Sequence, residues 1–333
     1  MRKPTRSREV GRGERVLPGA WRLRLPLPWP GVPHCNAWAL AAGDGIVLVD
    51  TGMHEPGSMA HLERALDQAR LRIEDVRLIV CTHAHVDHCG QAPPIAERAG
   101  CEVWMHPNHA HHTASAGDLE QTLARRVEIA RQSGVPEAPL RRWVDQRRGQ
   151  GTGQAGRLRV DRELTDGATV DTDLGQWQVV ETPGHAPSHI CLYQPERRLL
   201  ISGDHLLGRV SLYFDAGYTP DPVGEFLASL DKVEGLSSRL ALAGHGRPFA
   251  DVGAHIVANR TLIAERLAAV RAALAEGGHR TAYEIAQDVY GDLFTEATAN
   301  WLLSKTRSYL THLEQQGQAA RAGESPERWS AAA

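Results

Sequence analysis

The sequence predicts an α/β fold, because short apolar segments of strand length alternate with segments of helical spacing. The runs VRLIV (76–80) and CEVWM (101–105) have strand length, while MAHLERALDQAR (59–70) and PPIAERAG (93–100) have helical spacing. Alternation of this kind over the first hundred residues is typical of a layered α/β domain. With 333 residues, the chain is long enough for one large domain or two smaller ones.

The N-terminal region combines a polar start with two β-rich runs. Residues 1–15 are basic and polar, and we expect them to form a flexible N-terminus. The following LRLPLPWPGVP (23–33) is interrupted repeatedly by proline, so it lacks the continuous apolar region of a secretory signal. The segment HCNAWALAAGDGIVLVDTG (34–52) then predicts two strands joined by a turn at 43–45.

The middle of the chain, from about 109 to 156, changes to charged helical segments and ends in the glycine-rich GQGTGQAG. Short strands resume after it, each bounded by turn residues. We therefore expect a main domain over 16–265 with a helical insertion at 109–156. Its position between two histidine motifs would let the insertion cover a site, and a peripheral helical hairpin is the alternative.

The C-terminal residues 266–333 are expected to form a small separate domain. Helical segments run from NRTLIAERLAAVRAALAEGG (259–278) through TAYEIAQDVYG and EATANWLLSKTRSYLTHLEQQG, and the tail RAGESPERW follows. Three helices with a short extended tail fit a winged-helix-like unit.

The composition favours a reduced, cytoplasmic protein. The formal net charge is −3 at pH 7, so charge offers no argument for a nucleic-acid or membrane partner. No run is apolar and long enough to span a bilayer. The five cysteines lack CxxC spacing, which argues against a paired redox or zinc motif.

The segment CTHAHVDHCG (81–90) carries three histidines and an aspartate directly after an apolar run. His83 and His85 are two residues apart, so they share a face only on extended backbone. From the end of a strand, the loop can aim these two at one point, and Asp87 and His88 at a neighbouring one. Open α/β sheets place sites at the carboxyl ends of strands, which supports this placement.

Further single candidates follow at predicted strand ends: His185 in ETPGHAPSH, Asp204 in LLISGDH and His245 in LALAGHG. Each lies beside a glycine, where the backbone can turn sharply. Imidazole and carboxylate groups suit zinc, iron or manganese better than calcium or magnesium. Seven such groups suffice for two ions that share a bridging carboxylate and a bridging water. We interpret HPNHAHH (106–112) as a chance cluster in a chain with 17 histidines.

Together, these motifs resemble the metallo-β-lactamase superfamily, whose signature is HxHxDH followed by a separate His, Asp and His. HAHVDH, PGH, GDH and GHG occur in that order, and IVLVDTG (46–52) matches the family's Asp-containing strand. The resemblance covers about 16–250. It implies a four-layer αββα fold that binds two divalent metal ions, with Zn²⁺ favoured and Fe or Mn as alternatives.

The resemblance assigns seven metal ligands, all of them histidine or aspartate. They are His83, His85 and His185 for the first ion, Asp87, His88 and His245 for the second, and Asp204 as the bridge. Asp50 would steady the ligand loop from outside, as such carboxylates do for metal-bound histidine, and a turn-forming aspartate is the alternative. His189 would support a ligand or pack behind it.

The function implied is hydrolysis, in which a metal-bridging hydroxide attacks a carbonyl or phosphorus. Asp87 would be the catalytic residue that orients the hydroxide. Asp204 stands where zinc β-lactamases carry cysteine, so the match is closer to glyoxalase II-like and lactonase-like relatives. We therefore expect cleavage of a thioester, ester or lactone of a small acyl substrate. Arg209, Tyr213 and Tyr218 are candidate substrate contacts, with solvated surface or ordinary core as the alternative.

Other functions stay open. The C-terminal helices resemble the winged-helix appendage of a group that includes an endoribonuclease of animal mitochondria, so an endoribonuclease or phosphodiesterase is one alternative. From Thr281 onward, however, acidic side chains outnumber basic ones, whereas a phosphate-binding helix should be basic. We therefore interpret the appendage as structural or as the contact of a homodimer. A mono-iron persulfide dioxygenase and a non-catalytic sensor are the remaining alternatives.

Overall fold

A computed structural model describes residues 10–29, 31–114 and 118–332, so the first nine residues of the expected flexible N-terminus lie outside it. Its strands are β1 Arg12–Leu17, β2 Ala20–Trp29, β3 Val32–Ala42, β4 Gly45–Val49, β5 Val76–Val80, β6 Glu102–Met105, β7 Arg162–Glu163, β8 Thr169–Thr172, β9 Gly175–Glu181, β10 Ile190–Gln194, β11 Leu199–Gly203, β12 Leu240–Ala243, β13 Ala319–Ala322 and β14 Arg328–Ala331. Its α-helices are α1 Ser58–Gln68, α2 Val86–Cys89, α3 Ala92–Ala99, α4 Ala110–Thr113, α5 Leu119–Gln132, α6 Glu137–Arg148, α7 Pro222–Gly235, α8 Val252–Ala275, α9 Ala282–Tyr290 and α10 Ala299–Gln315.

Two sheets hold most of the strands. The larger has the order β1-β2-β3-β4-β5-β6-β7, antiparallel from β1 to β4 and parallel from β4 to β7. The smaller has the order β12-β11-β10-β9-β8, in which β11 and β12 pair in parallel and the others are antiparallel. The parallel pairs bring the ends of β4 and β5 together, and those of β11 and β12. Predicted site residues follow each of these four strands.

The sheets pack face to face, with helices on both outer faces. Trp38 and Val80 from the larger sheet meet Trp177 and Ile201 from the smaller in one fully buried core. Along β3, successive residues alternate between this core and the one beneath α1 and α3, as the two-residue period of a strand requires. Helices α7 and α8 cover the smaller sheet. The order helix, sheet, sheet, helix confirms the four-layer αββα prediction.

The N-terminal strands correct the expectation of a flexible start. Residues 12–15 belong to β1 and pair with β2. The proline-interrupted segment forms β2 itself, with Pro26 and Pro28 inside the strand. Among the described residues, β1 pairs with β2 only as far as Arg24. Both prolines therefore lie beyond this pairing, on an edge where a missing N–H is tolerated.

The segment between β6 and β7 holds α4, α5 and α6, and it packs against the C-terminal helices. The end of α5 joins them directly, because the Ser133 carbonyl accepts a hydrogen bond of 2.9 Å from the Tyr283 N–H. The Gln132 carbonyl likewise accepts one of 2.8 Å from the Glu327 N–H. The insertion and the C-terminal part therefore form one continuous surface.

The C-terminal part consists of α8, α9 and α10, followed by the antiparallel hairpin of β13 and β14. The domain boundary expected between 265 and 266 is wrong, because it falls in the middle of α8. One hydrophobic core joins Leu200 and Phe226 of the four-layer domain to Ile285 and Leu310 of the C-terminal helices. The winged-helix assignment stays a prediction. In the described part of the chain, no helix has the length and apolarity needed to cross a membrane.

Candidate metal centre

The HxHxDH segment follows β5, and the backbone changes conformation within it. His85 has extended backbone (φ −68°, ψ 142°) and immediately precedes α2. Asp87 and His88 lie within this single helical turn. The extended stretch lets His83 and His85 face the same point, while the turn directs the next two side chains elsewhere. This is the divergence from a strand end that the spacing predicts.

Three imidazoles converge at the first point. His85 Nδ1 lies 3.0 Å from His83 Nε2 and 3.0 Å from His185 Nε2. His185 comes from the loop between β9 and β10, a hundred residues further along the chain. These ring nitrogens are close enough together to bind one metal ion.

A second group of two imidazoles and a carboxylate lies beside the first. Asp87 Oδ2 is 3.5 Å from His88 Nε2 and 3.2 Å from His245 Nε2. Asp204 lies between the two groups: its Oδ2 is 3.2 Å from His245 Nε2 and 3.7 Å from His185 Nε2. The structure therefore brings all seven predicted ligands together, and the Asp204 carboxylate faces both halves of the set.

Buried atoms in this centre lack hydrogen-bond partners. Among the described residues, neither His88 Nε2 nor Asp204 Oδ1 has one, and the two atoms are 3.4 Å apart. An unsatisfied buried polar group costs about 1–3 kcal/mol, and bonding to a divalent cation would offset that cost. The donor set of imidazoles and carboxylates is the one that zinc, iron and manganese prefer. The residues present therefore fit a metal centre.

The electrostatics differ between the two groups. Burial lowers the pKa of His185 to about 4 and holds that of His83 well below its usual value, so both rings are neutral and can donate a lone pair to a metal. For His245, burial acts in the same direction, but the carboxylates of Asp204 and Asp87 outweigh it and raise the pKa to about 10. Negative charge therefore accumulates around the second group, where a bound cation would be stabilised.

Asp50 supports the loop after β5 and the ring of His88 through two hydrogen bonds. Its Oδ1 accepts a hydrogen bond of 2.8 Å from the Thr82 N–H, and its Oδ2 accepts one of 2.8 Å from His88 Nδ1. The second bond leaves His88 Nε2 as the metal-binding atom. Asp50 has a left-handed backbone (φ 63°), a conformation that costs non-glycine residues about 1–3 kcal/mol. The contacts match the supporting role that the family resemblance implies.

His189 positions Asp204. The His189 Nδ1 lies 2.7 Å from the Thr182 hydroxyl, and its Nε2 accepts a hydrogen bond of 3.0 Å from the Asp204 N–H. The acceptor role of Nε2 places the proton of the neutral ring on Nδ1. His189 therefore fixes the backbone that carries the carboxylate between the two groups.

Asp215 is a site residue that sequence reasoning missed. Its Oδ2 accepts a hydrogen bond of 2.8 Å from His85 Nε2, which leaves His85 Nδ1 facing the other ligands. The same oxygen lies 3.4 Å from His111 Nε2 and 3.4 Å from His112 Nε2. The cluster HPNHAHH, interpreted as chance, thus contributes two side chains next to the centre. No local pattern marks Asp215 in the sequence.

The three candidate substrate contacts have different positions. The Tyr213 ring lies 5.7 Å from the rings of His85 and His185. The Tyr218 ring lies beneath the Arg125 guanidinium, 4.0 Å from its centroid. Tyr213 therefore lies against ligand rings of the centre, whereas the Tyr218 ring lies one residue further out, 5.7 Å from the ring of His112. Arg209 is exposed and makes no hydrogen bond or ion pair with the described residues, so nothing links it to the site.

Comparisons with known proteins agree with this geometry. The family model described as the metallo-beta-lactamase superfamily matches residues 30–245. The probable metallo-hydrolase YqjP of Bacillus subtilis is 25% identical over 293 residues, which cover 83% of this chain and 86% of that protein.

Two solved structures are similar over nearly the whole chain. The metallo-beta-lactamase family protein TTHA1429 from Thermus thermophilus has a TM-score of 0.80 at 28% identity, covering 95% of this chain and all (100%) of that one. A beta-lactamase domain protein from Burkholderia ambifaria has a TM-score of 0.75 at 26% identity, covering 96% and 94% of the two chains. With its sheet order, its ligand positions and these matches, the chain belongs to the metallo-β-lactamase superfamily.

Proposed function

We propose that this metallo-hydrolase cleaves a thioester, ester or lactone of a small acyl substrate, using two divalent ions of which Zn²⁺ is the favoured choice. The observation that carries the proposal is the position of Asp204, whose carboxylate lies within 3.7 Å of His185 in one group and 3.2 Å of His245 in the other. A carboxylate shared between two three-residue groups is the arrangement expected of a dinuclear centre.

When bound, the ions would supply Lewis acidity and a water nucleophile that is available at neutral pH. His83, His85 and His185 would hold one ion and Asp87, His88 and His245 the other. Although burial would raise the pKa of Asp87, the neighbouring His88 and His245 outweigh it and lower that pKa. Asp87 is therefore a carboxylate at neutral pH and can accept a hydrogen bond from the attacking water, which orients it.

An acyl substrate is supported by a cavity of about 250 Å³ between the insertion and the C-terminal helices. Its wall includes Leu140, Trp143, Phe294 and Leu303. Such a mostly apolar lining with a few polar groups is typical of small-molecule sites. Helix α10, which supplies Leu303 to the wall, also contacts the segment that carries Tyr213, because Ser304 donates a hydrogen bond of 2.7 Å to the Phe214 carbonyl.

A cationic side chain lies at the same cavity. Arg126 lines it and makes no hydrogen bond or ion pair with the described residues. Its charge also acts on the hydroxyls of Tyr213 and Tyr218, although burial raises the pKa of both. We propose that Arg126, rather than the candidate substrate contact Arg209, binds an anionic group of the acyl substrate.

A small-molecule substrate is favoured over a nucleic acid by the ion pairs of the C-terminal part. Arg280 pairs with Glu276 at 3.2 Å, and Arg307 pairs with Glu327 at 3.0 Å. These cations are already neutralised by neighbouring carboxylates, whereas binding to a phosphate backbone requires unpaired basic side chains on one face. We therefore propose that the C-terminal helices have a structural role.

The experiment combines metal analysis with a hydrolysis panel. Protein loaded with Zn²⁺ is assayed on thioesters, esters, lactones, phosphodiesters and RNA, beside Asp87→Ala and the control Asp67→Ala, an exposed residue of α1. We expect hydrolysis of one acyl class, a loss of at least about 100-fold in Asp87→Ala, and unchanged activity in the control. Cleavage of phosphodiesters alone, or full turnover by Asp87→Ala, would show that the proposal is wrong.

A further inference from the structure

The turn that carries His245 is held by β3, a strand of the other sheet. His245 follows β12 of the smaller sheet, whereas Asp87 and His88 belong to α2, which follows β5 of the larger sheet. The second ligand group therefore combines side chains from both halves of the fold. Its geometry depends on the contacts that fix the distance between the two sheets at this point.

Asn36 of β3 makes three hydrogen bonds to this turn. Its side-chain Nδ2 donates to the Ala243 carbonyl at 2.8 Å and to the Gly246 carbonyl at 2.9 Å. Its backbone N–H donates to the Gly244 carbonyl at 2.7 Å. Each of these carbonyls lies within two residues of His245. Asn36 therefore holds the turn on both sides of the ligand.

The orientation of the Asn36 amide is determined by the turn. Asn36 is only 1% exposed, and both protons of its Nδ2 are donated to carbonyls, which can only accept. The Oδ1 atom is buried and has no hydrogen-bond partner among the described residues. In a flipped amide, Oδ1 would face two carbonyl oxygens and be repelled by them. The amide therefore bonds the turn even though its own oxygen stays unsatisfied.

Other residues of the larger sheet hold the same turn. The His34 carbonyl on β3 lies 2.8 Å from His245 Nδ1. Because a carbonyl can only accept, Nδ1 donates this bond, and Nε2 is the atom that faces the carboxylates of the centre. Arg22 on β2 donates from Nη1 to the Gly246 carbonyl at 2.8 Å. The backbone of β3 thus directs the His245 ring, while Asn36 and Arg22 hold the turn beneath it.

We propose that Asn36 is a positioning residue for the metal ion that His245 binds, the second ion of the centre, because it sets where this imidazole lies relative to the ligands on α2. This role rests on the two-ion centre proposed above. The ligands assigned to the first ion lie outside the turn, since His83 and His85 follow β5 and His185 lies between β9 and β10. Loss of the Asn36 amide should therefore weaken the second ion and leave the first unchanged.

The test measures the affinity of each ion rather than turnover alone. Purified apoprotein is titrated with Zn²⁺ against a chromophoric chelator, and a Co²⁺ titration followed by visible absorption separates the two ions. Asn36→Leu keeps the branched shape of the side chain and removes its two donors. The matched control is Asn259→Leu on α8, because Asn259 is 2% exposed and also donates its Nδ2 to a backbone carbonyl, that of His255, at 2.7 Å.

We expect Asn36→Leu to bind the first ion like the wild type and the second ion about 10–100-fold more weakly. Its hydrolytic activity should return at high Zn²⁺ concentration, which a general loss of structure would not allow. Asn259→Leu should bind both ions like the wild type. Unchanged affinity for the second ion in Asn36→Leu, or equal losses for both ions, would overturn the proposal.

A second pair of variants, Asn36→Ala and Asn259→Ala, is compared in the same way if the leucine variants do not fold. A wild type that binds a single ion would show that the dinuclear centre is wrong. The role of Asn36 is then decided on that one ion. Weaker binding in the Asn36 variant alone would support it, and equal binding in all three proteins would overturn it, whatever the hydrolysis panel shows.

Discussion

Gly244 lies so close to Asp204 that a β carbon at position 244 would be 2.2 Å from the Asp204 Oδ1 atom and 2.7 Å from His88 Cε1. A backbone hydrogen bond holds the two strand ends at this distance, because the Gly244 N–H donates to the Gly203 carbonyl at 2.8 Å. Only glycine therefore allows the strand end that carries His245 to approach Asp204 and His88.

Gly244→Ala should consequently destroy the centre while leaving the fold intact. The new methyl group must displace Asp204 or His88, so we expect loss of bound metal and a fall in activity of at least about 100-fold. The control is Gly253→Ala near the start of α8, where a β carbon meets nothing within 4 Å. Metal content and circular dichroism are measured on both variants, and a metal-loaded, active Gly244→Ala would contradict the expectation.

Asp50→Asn should weaken metal binding without unfolding the chain. The amide keeps the size of the side chain but replaces one of the two acceptor oxygens that hold Thr82 and His88. Loss of such a supporting group typically costs about 10–100-fold in metal affinity or activity. Zinc affinity and kcat are measured beside Asp44→Asn, which changes an exposed ion pair with Arg77. Equal affinities in the two variants would show that Asp50 is only a turn residue.

Asp221 should contribute stability that depends on pH. Its carboxylate accepts hydrogen bonds of 2.9 Å from the Gly224 N–H at the start of α7 and of 2.9 Å from His312 Nδ1 on α10. Burial would raise the pKa of Asp221, but these partners outweigh it and lower that pKa. Because the folded pKa is depressed, the contribution is present above the unfolded pKa and is lost as the pH falls through the folded value.

Asp221→Ala should therefore lower the free energy of unfolding at pH 7 by about 1–2 kcal/mol, with a smaller difference in acid. Urea unfolding at pH 7 and near pH 3 checks both values. The comparison is Asp251→Ala, which removes a cap of α8 whose carboxylate accepts a hydrogen bond of 3.0 Å from the Ala254 N–H. Among the described residues, no histidine bonds this carboxylate; His255 bonds the Asp251 backbone carbonyl, which the substitution keeps. A loss that is the same at both pH values would rule out the carboxylate as its source.

Ala299→Trp should fill the cavity beside the insertion and change substrate selection. Ala299 is partly buried and lines the cavity, whereas Ala297, two residues earlier, is exposed and does not. One methylene in an apolar pocket changes kcat/KM by about 10–200-fold, so we expect kcat/KM to fall by at least about tenfold for longer acyl chains and to stay constant for an acetyl substrate. Ala297→Trp is the control. An equal effect on both chain lengths would place the acyl group elsewhere.

The ligand set of the centre could be predicted from the sequence because each ligand is marked locally. Glycine beside His185, Asp204 and His245, together with an apolar run before each, indicates a strand end, and strand ends of an α/β sheet meet at one edge. The two-residue spacing of His83 and His85 predicts their shared direction. These signals can be recognised in the sequence because each depends on the local backbone conformation, which residues adjacent in the chain determine.

Other features had no local signal. The proline-containing β2 is stable because β3 pairs with it along its length, and α8 continues through the expected boundary because one core lies beneath both parts. In each case, burial against residues distant in the chain outweighs the local sequence preference.

The sequence by itself determined the αββα fold class, the seven candidate ligands and their order along the chain. Only the tertiary structure decided that Asp215 orients His85, that His111 and His112 join it, and that Gly244 must lack a side chain. These relationships connect positions from 40 residues apart (Asp204 and Gly244) to 156 residues apart (His88 and Gly244). They depend on how the sheets and the insertion pack, and packing against distant residues leaves no periodic pattern in the sequence.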